Sequence, residues 1–453
     1  MSVIANNCPE IIVTLLDTDQ EKIINWNSSD LKKLPVFEPG LSELVQKNRN
    51  KNLFFTTDAE SSISKADIVF ISVNTPTKIK GLGAGYASDL KWVENSARMV
   101  SKFAKGHTIV VEKSTVPVRT AELIKEILIN SNPEIENDSK TFSVLSSPEF
   151  LAEGTAIKDL ENPDRVLIGG EDKEAIDQLS LIYQKWIPKE KIFVTNLWSS
   201  ELSKLTANAF LAQRISSINA ISSLCEPTGA DIQEVAKAIG ADQRIGRKFL
   251  NAGPGFGGSC FQKDLLNMIY LCRYYGLEEV ADYWEQVVIL NDWQKKRISK
   301  LIIETFFGTV TSKKCTLLGF AFKSNTNDTR ESPAITIAKE LMENGANLYI
   351  HDPQVSKSQL ENIFDEENFF SQRNNSDGNW AYIDNLDEAF NNADAIIIMT
   401  EWSEYLKIDW EKFSKLMRRP AWIFDTRGII SEDDLNGKNL NFWQVGRGFI
   451  SLK

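Results

Sequence analysis

Short apolar runs rich in β-branched residues alternate along this chain with longer stretches of helical spacing. Ile11–Leu16, Ile68–Val73, Thr108–Val111 and Phe142–Leu145 are runs of this kind. Continuous apolar character, rather than strict alternation, is what a strand buried on both faces of a parallel sheet requires. Leu90–Phe103 and Thr120–Leu128 carry helical spacing between them, with Ser88 and Asp89 as N-caps before the first. Parallel strands need crossover connections, so this order predicts a doubly wound α/β sheet. From about Ser199 to Ile303 the pattern turns helical, with long helices expected over Ser200–Leu224 and Val280–Phe306. From Lys314 the alternation returns. Strands are expected at Cys315–Phe320, Leu348–His351, Ala393–Met399 and Trp422–Phe424, with a helix over Ala334–Asn344. The 453 residues exceed what one core organises. The expected architecture is two doubly wound α/β domains, 1–197 and 307–453, joined by a helical region, 198–306. The polar segment Ser371–Asn379 is expected to be a surface loop.

Composition narrows the function classes. With 42% hydrophobic and 25% charged residues, the chain has the profile of a soluble globular protein. A net charge of −11 argues against a nucleic-acid binder. No run approaches the length of apolar sequence that spans a bilayer, and the first residues do not form a secretory signal. The five cysteines are odd in number and never form a CxxC pair, as expected of a reducing, cytoplasmic setting. Two histidines are too few for a His-based metal site and disfavour a Ser/His/Asp triad. Acid–base work is therefore expected of Lys, Asp, Glu or Cys, and no metal is expected.

The start of the first domain is unusual. A dinucleotide-binding βαβ unit places an acid at the end of its second strand, about 20 residues after a Gly-rich turn. Ile11–Leu16 ends in Asp17, suited to a ribose hydroxyl. Yet none of the sixteen residues before Asp17 is Gly. Residues 2–8 read as the tail of the first crossover helix. The first strand and phosphate loop are therefore expected to be absent. That strand is central in such sheets, so both its neighbours should lose a ladder partner, and the pyrophosphate should lose its helix N-terminus.

Several segments carry chemistry. Gly253-Pro254-Gly255-Phe256-Gly257-Gly258-Ser259-Cys260-Phe261-Gln262-Lys263-Asp264 has four glycines within six residues, permitting close backbone approach to a ligand just before a thiol. An inert buried cysteine after an ordinary loop is the competing reading. Lys204 and Asn208 are four apart on a predicted helix and share a face, where an ammonium and an amide can hold an oxyanion. A solvated lysine beside a structural asparagine is the bland alternative. Ser147–Gly154, Val73-Asn74-Thr75-Pro76-Thr77 and Ser114-Thr115-Val116-Pro117 each follow a predicted strand, where open α/β sheets bind ligands. Lys323 and Arg330 flank the first strand end of the last domain, and two cations there suit a diphosphate; a solvated pair is the simpler reading.

Taken in order, these segments, with Ser199–Ser217 and Pro148–Gly170, resemble the UDP-glucose 6-dehydrogenase family of the UDP-glucose/GDP-mannose dehydrogenases, most closely its animal-type members. The resemblance runs from about Ser2 to the end. It implies an N-terminal Rossmann domain for NAD, a central helical dimerisation region and a C-terminal Rossmann-like domain for the UDP-sugar. It implies that Cys260 is the nucleophile, that Lys204 is the catalytic lysine with Asn208 holding the oxyanion, and that Asp264 assists water and proton transfer. Glu149 and Thr115 match positions around the reacting centre. UDP-sugar contacts are implied for Glu149, Phe150, Leu151, Ala152, Glu153, Lys204, Asn208, Arg244, Asn251, Phe256, Gly257, Phe322 and Lys323, and for Arg427 reaching a neighbouring subunit. NAD contacts are implied for Asp17, Lys22, Val73, Asn74, Thr75, Pro76, Thr77, Ser114, Thr115, Val116, Glu153, Lys263 and Arg330.

The implied reaction oxidises UDP-glucose to UDP-glucuronate through a Cys260 thiohemiacetal and thioester, with two NAD⁺ consumed. A thiol suits this step because its thiolate is accessible near neutral pH, and a nearby Lys204 would favour it. The family suggests dimers assembling into a hexamer. Two departures stand out: the first strand with its Gly-rich loop, and Lys22 where animal members commonly carry Arg, which a point charge does not replace. They leave a second reading open, a non-catalytic subunit that binds UDP-sugar and assembles with full-length copies. Within the enzymes, oxidation of UDP-N-acetylmannosamine or GDP-mannose is the competitor.

Overall fold

The computed structural model describes residues 1–130, 140–365 and 378–452, so most of the Ser371–Asn379 segment lies outside the described residues. The chain divides into two compact units: Met1–Asn208 with Leu266–Ala281, and Ala209–Leu265 with Asp282–Lys453. The cuts pass through long helices, Leu197–Thr228 and Glu278–Thr305.

The first unit contains strands β1 (Val13–Leu16), β2 (Leu53–Thr56), β3 (Ile68–Ile71), β4 (His107–Glu112), β5 (Thr141–Ser146), β6 (Val166–Gly169) and β7 (Ile192–Thr195). They form two separate sheets, β1-β2 and β3-β4-β5-β6-β7. All pairings are parallel except a single β5–β6 step, as short apolar strands joined by helical crossovers dictate. Among the described residues no ladder joins β1 to β3. There β1 pairs only with β2, and β3 only with β4. Side chains partly cover the gap: Phe70 of β3 packs with Ile4, Val13 and Leu53. Ser2–Asn7 is a helix, as expected for the tail of a crossover.

The second unit holds one sheet of β8 (Lys314–Leu318), β9 (Asn347–His351), β10 (Trp380–Tyr382), β11 (Ala395–Ile398), β12 (Trp422–Asp425), β13 (Asn441–Gln444) and β14 (Gly448–Ile450). Its order is β10-β9-β8-β11-β12-β13-β14, parallel except for β13–β14. This is a doubly wound, Rossmann-like sheet. Ile396, Ile397 and Ile398 of β11 are all fully buried, which explains their unbroken apolar run. Cys315 on β8 belongs to the same core, where burial pushes its thiol up to about 12 and leaves it a small hydrophobe.

Strand ends fall short of the expected ones for identifiable reasons. β3 stops at Ile71 because the Val73 N–H donates to Ser114 Oγ at 2.8 Å instead of to a ladder. β8 stops at Leu318, where Gly319 takes a φ of 96° and Asp352 accepts the Phe320 and Ala321 N–H groups at 2.7 and 3.0 Å. No helix among the described residues is long and apolar enough to cross a membrane.

Candidate active site

In the first unit the loops after β3 and β4 are joined. Ser114 Oγ donates to Val73 O at 2.7 Å, and Thr75 Oγ1 donates to Thr115 O at 2.8 Å. Thr75 and Val116 are buried, whereas Asn74 is exposed. The segment 76–89 folds back beside them, with the Asp89 N–H on Pro76 O at 2.7 Å and a bridge from Thr77 to Ser88. Two polar strand-end loops named separately from the sequence thus form one polar surface at the carboxyl edge of the sheet.

The loop after β5 supplies the next group. Lys204 is 3% exposed on its helix, and its Nζ lies 3.2 Å from Glu149 Oε1 and 5.5 Å from the Phe150 ring centroid. Glu149 Oε2 also accepts the Leu151 N–H at 3.0 Å, so the carboxylate is fixed at both oxygens. Arg165 stacks on the Phe150 ring at 3.8 Å. Asn208, one helical turn beyond Lys204, is 5% exposed. Burial of both removes the reading of a solvated Lys204 beside a structural neighbour. Farther along, Ala152 is exposed and Glu153 is half-buried. Glu38 accepts the Gly154 and Ala156 N–H groups at 2.8 and 2.7 Å, a brace absent from the sequence reading.

Asp17 follows β1 directly, with its Oδ1 accepting the Asp19 N–H at 2.9 Å and Lys22 Nζ 3.8 Å from its Oδ2. Lys22 is largely exposed and also 3.8 Å from Asp19, so its pairing is loose and solvent-screened. An acid at this strand end suits ribose hydroxyls, and the β3 and β4 loops offer hydroxyls and backbone groups beside it. The donor set therefore fits a dinucleotide at its adenosine and strand-end sides. A Gly-rich pyrophosphate cradle is not among the described residues.

In the second unit the glycine loop is gripped from three directions. The Gly253 N–H donates to Asn219 Oδ1 at 2.8 Å, and Gln294 Nε2 donates to Gly253 O at 2.8 Å. Asn291 takes the Phe256 N–H and returns a bond to Phe256 O, at 2.8 and 3.1 Å. The Gly258 N–H donates to Arg330 O at 2.8 Å. A Cβ on Gly257 would lie 2.5 Å from Glu331 O and 2.9 Å from Phe322 Cβ. Gly257→Ala should therefore push the loop off the Phe322–Glu331 segment. A lowered melting temperature is the expected result, with a loss of roughly 1–3 kcal/mol in stability.

Cys260 follows this loop, half-buried, as the residue that opens the helix Phe261–Tyr274; its carbonyl accepts the Asp264 N–H at 3.0 Å. A helix N-terminus is a place where negative charge is favoured. Ser259 Oγ stands 3.6 Å from Cys260 Sγ. Asp264 is 1% exposed and bonded by Lys263 Nζ at 2.6 Å.

The remaining cations differ in placement. Arg427 is tied within its own chain: its Nε donates to Met399 O at 2.7 Å and one terminal nitrogen to Phe322 O at 2.9 Å. Another terminal nitrogen would sit 3.4 Å from a Cβ on Gly253. It thus stands at the glycine loop of its own unit. Burial opposes the ionisation of Glu401, yet the Arg427 guanidinium 3.3 Å away, backbone hydrogen bonds and Lys323 together outweigh it and hold the carboxyl below its ordinary value. Lys323 Nζ lies 5.5 Å from the Phe322 ring centroid. Arg330 is exposed and forks onto Asp328 at 2.7–3.1 Å. Arg244 is 89% exposed and forks onto Asp242, its nearest bonds at 2.6 and 3.0 Å. Asn251 is exposed at the start of the glycine loop.

Comparison with known proteins agrees with this layout. The chain matches the NAD binding domain of the UDP-glucose/GDP-mannose dehydrogenase family over residues 1–187, its central domain over 198–293 and its UDP binding domain over 316–432. It is 53% identical over 443 residues to UDP-glucose 6-dehydrogenase of Gallus gallus, covering 96% of this chain and 87% of that one. It is 51% identical over 453 residues to UDP-glucose 6-dehydrogenase of Drosophila melanogaster, covering 99% and 94%. A solved UDP-glucose dehydrogenase from the hyperthermophilic archaeon Pyrobaculum islandicum superposes with a TM-score of 0.82 at 29% identity, covering 99% of this chain and 94% of that one. On the domains matched and the extent of these identities, the chain belongs to the UDP-glucose/GDP-mannose dehydrogenase family.

Proposed function

We propose that this chain oxidises UDP-glucose to UDP-glucuronate, with Cys260 as the covalent nucleophile. The observation that carries the reading is the half-buried Cys260 at a helix N-terminus, directly after a glycine loop held by backbone and amide contacts. Bound NAD⁺ supplies a hydride acceptor twice per sugar, with Asp17, Val73–Thr77 and Ser114–Val116 as the residues that would hold it. Lys204 and Asn208 donate hydrogen bonds to the C6 oxygen as charge develops on it. The C6 alcohol loses its hydroxyl proton and one hydride to leave an aldehyde; the Cys260 thiolate adds to that carbon, forming a C–S bond, and the resulting thiohemiacetal oxygen takes up a proton. Loss of the remaining C6 hydride and that hydroxyl proton leaves a thioester. Water attacks its carbonyl, the C–S bond breaks, and the sulfur leaves as thiolate. Asp264 and Glu149 are the carboxylates assigned to orient that water and remove its proton. Phe322, Lys323 and Arg427 are assigned to the UDP moiety, together with Phe150–Glu153, Asn251, Phe256 and Gly257.

Arg244, exposed and bound to Asp242, is assigned to substrate on family resemblance alone; Lys263, Arg330 and Glu153 keep their assignment to NAD on the same ground. We also place the chain in the cytoplasm, with five free cysteines, as a homo-oligomer. Exposed Trp198, Leu202, Phe210, Ile221 and Leu224 on one helix support assembly. The direct test is product formation from UDP-glucose against UDP-N-acetylmannosamine and GDP-mannose. UDP-glucuronate from the first and little product from the others is expected; preference for another sugar nucleotide overturns the reading.

The broken first sheet favours one second reading, a subunit that binds UDP-sugar without using NAD. Calorimetric titration separates the two: this reading predicts heat with UDP-glucose and none with NAD⁺.

A further inference from the structure

A buried carboxyl pair lies in the first unit, apart from the groups given roles above. Glu112 ends β4 and is 1% exposed; Glu201, early in the Leu197–Thr228 helix, is 2% exposed. Both Glu201 oxygens are engaged: Oε2 accepts the Arg119 N–H and Oε1 the Ala121 N–H, each at 2.7 Å. These N–H groups open the helix Thr120–Asn130, where a carboxylate is the favoured charge. Arg119 itself has a φ of 80°, so the turn into that helix is one that few side-chain-bearing residues adopt.

The Glu112 carboxyl is buried within hydrogen-bonding reach of the Glu201 carboxyl and the Ser146 hydroxyl. A hydrogen bond between two carboxyl groups needs a proton, and two buried anions in contact repel strongly. Burial raises the Glu201 carboxyl too, but its two backbone donors favour the ionised form, so the proton falls to Glu112. Glu112 Oε1 has no hydrogen-bond partner, which a neutral acid tolerates far better than a carboxylate does. The pair also links two functional segments. Glu112 is two residues before Ser114, and Glu201 is one turn before Lys204 on the same helical face. Ser200 Oγ, donating to Ser146 O at 3.1 Å, ties the same turn to β5.

We propose that Glu112 is a positioning residue that keeps its proton, donates it to Glu201, and so fixes the Ser114–Pro117 loop against the helix turn carrying Lys204. The kinetic consequence rests on the proposed reaction; the protonation does not. The charged group facing Glu112 is Glu201, from the long helix. Ser146 faces it from β5 and is neutral. The neighbouring Lys113 ammonium turns to Tyr183 Oη at 3.3 Å, and the Arg119 guanidinium pairs outward with Glu122 at 2.7 Å. Burial, then the Glu201 charge, pushes the Glu112 carboxyl well above its ordinary value. The folded chain therefore holds a proton that the unfolded chain releases. The stability Glu112 contributes is fully present below the ordinary glutamate value and is lost as pH rises through the folded value.

The test compares Glu112→Gln and Glu112→Ala with the parent chain. Glutamine keeps the shape and a donor for Glu201 but has no proton to lose. Its melting temperature should gain on the parent progressively as pH rises above the ordinary glutamate value. Its kcat and KM for NAD⁺ should stay within about threefold of the parent's, while alanine raises KM for NAD⁺ about tenfold, more than it lowers kcat. A Glu112→Gln melting difference that is flat with pH overturns the proposal. So does a glutamine variant as impaired as the alanine one. If the parent chain shows no turnover at all, the proposed reaction fails, and the melting comparison still decides the protonation of Glu112.

Discussion

Cys260→Ser should leave UDP-glucose binding within a few-fold while formation of UDP-glucuronate falls by about 10³-fold or more. Serine fits the same position after the glycine loop and retains a polar contact with Ser259. What it lacks is a group that ionises readily at a helix N-terminus and then leaves again from the acyl state. Without the C–S bond the second oxidation has no thiohemiacetal to act on, so reaction should stop at the aldehyde. Isothermal titration with UDP-glucose and a coupled assay for UDP-glucuronate separate the two effects. Turnover near that of the parent chain would remove Cys260 from the reaction.

The second large effect is expected at Lys204 and Asn208. Removing either donor, as Lys204→Ala or Asn208→Ala, should lower kcat by about 10²–10³ with a smaller change in KM for UDP-glucose. If both donors serve one oxygen, the double variant should lose much less than the product of the two single losses. Lys204→Arg is not expected to restore the rate, because a planar fork does not replace a compact ammonium held 3.2 Å from Glu149. Melting curves serve as the control, since Lys204 is buried and its loss leaves Glu149 without its cation. Independent, multiplicative losses would show that the two side chains act on different steps.

The parts of the fold that could be read from the sequence share a physical cause. Runs such as Ile68–Ile71 and Ala395–Ile398 pack in sheets covered on both sides, so their patterns are unbroken. Lys204 and Asn208 could be paired from spacing alone, since they share one helix. Contacts between distant segments were not legible. Glu38 braces Gly154 across more than a hundred positions, Asn291 and Gln294 grip the glycine loop from another helix, and Glu112 meets Glu201 only through the sheet edge. Their one sequence sign is a polar residue on an otherwise apolar face, which many solvated positions share. Arg427 shows the same limit: the sequence offered a role for it only through family resemblance, and only the structure shows it fastened to Phe322 and Met399.

The central claim is a four-electron oxidation at one carbon, and it is best tested by stoichiometry. Limiting UDP-glucose, excess NAD⁺ and the purified chain should yield two NADH for each sugar consumed, with UDP-glucuronate as the product. One NADH per sugar with accumulated aldehyde, or UDP-glucose binding with no NADH, would contradict it.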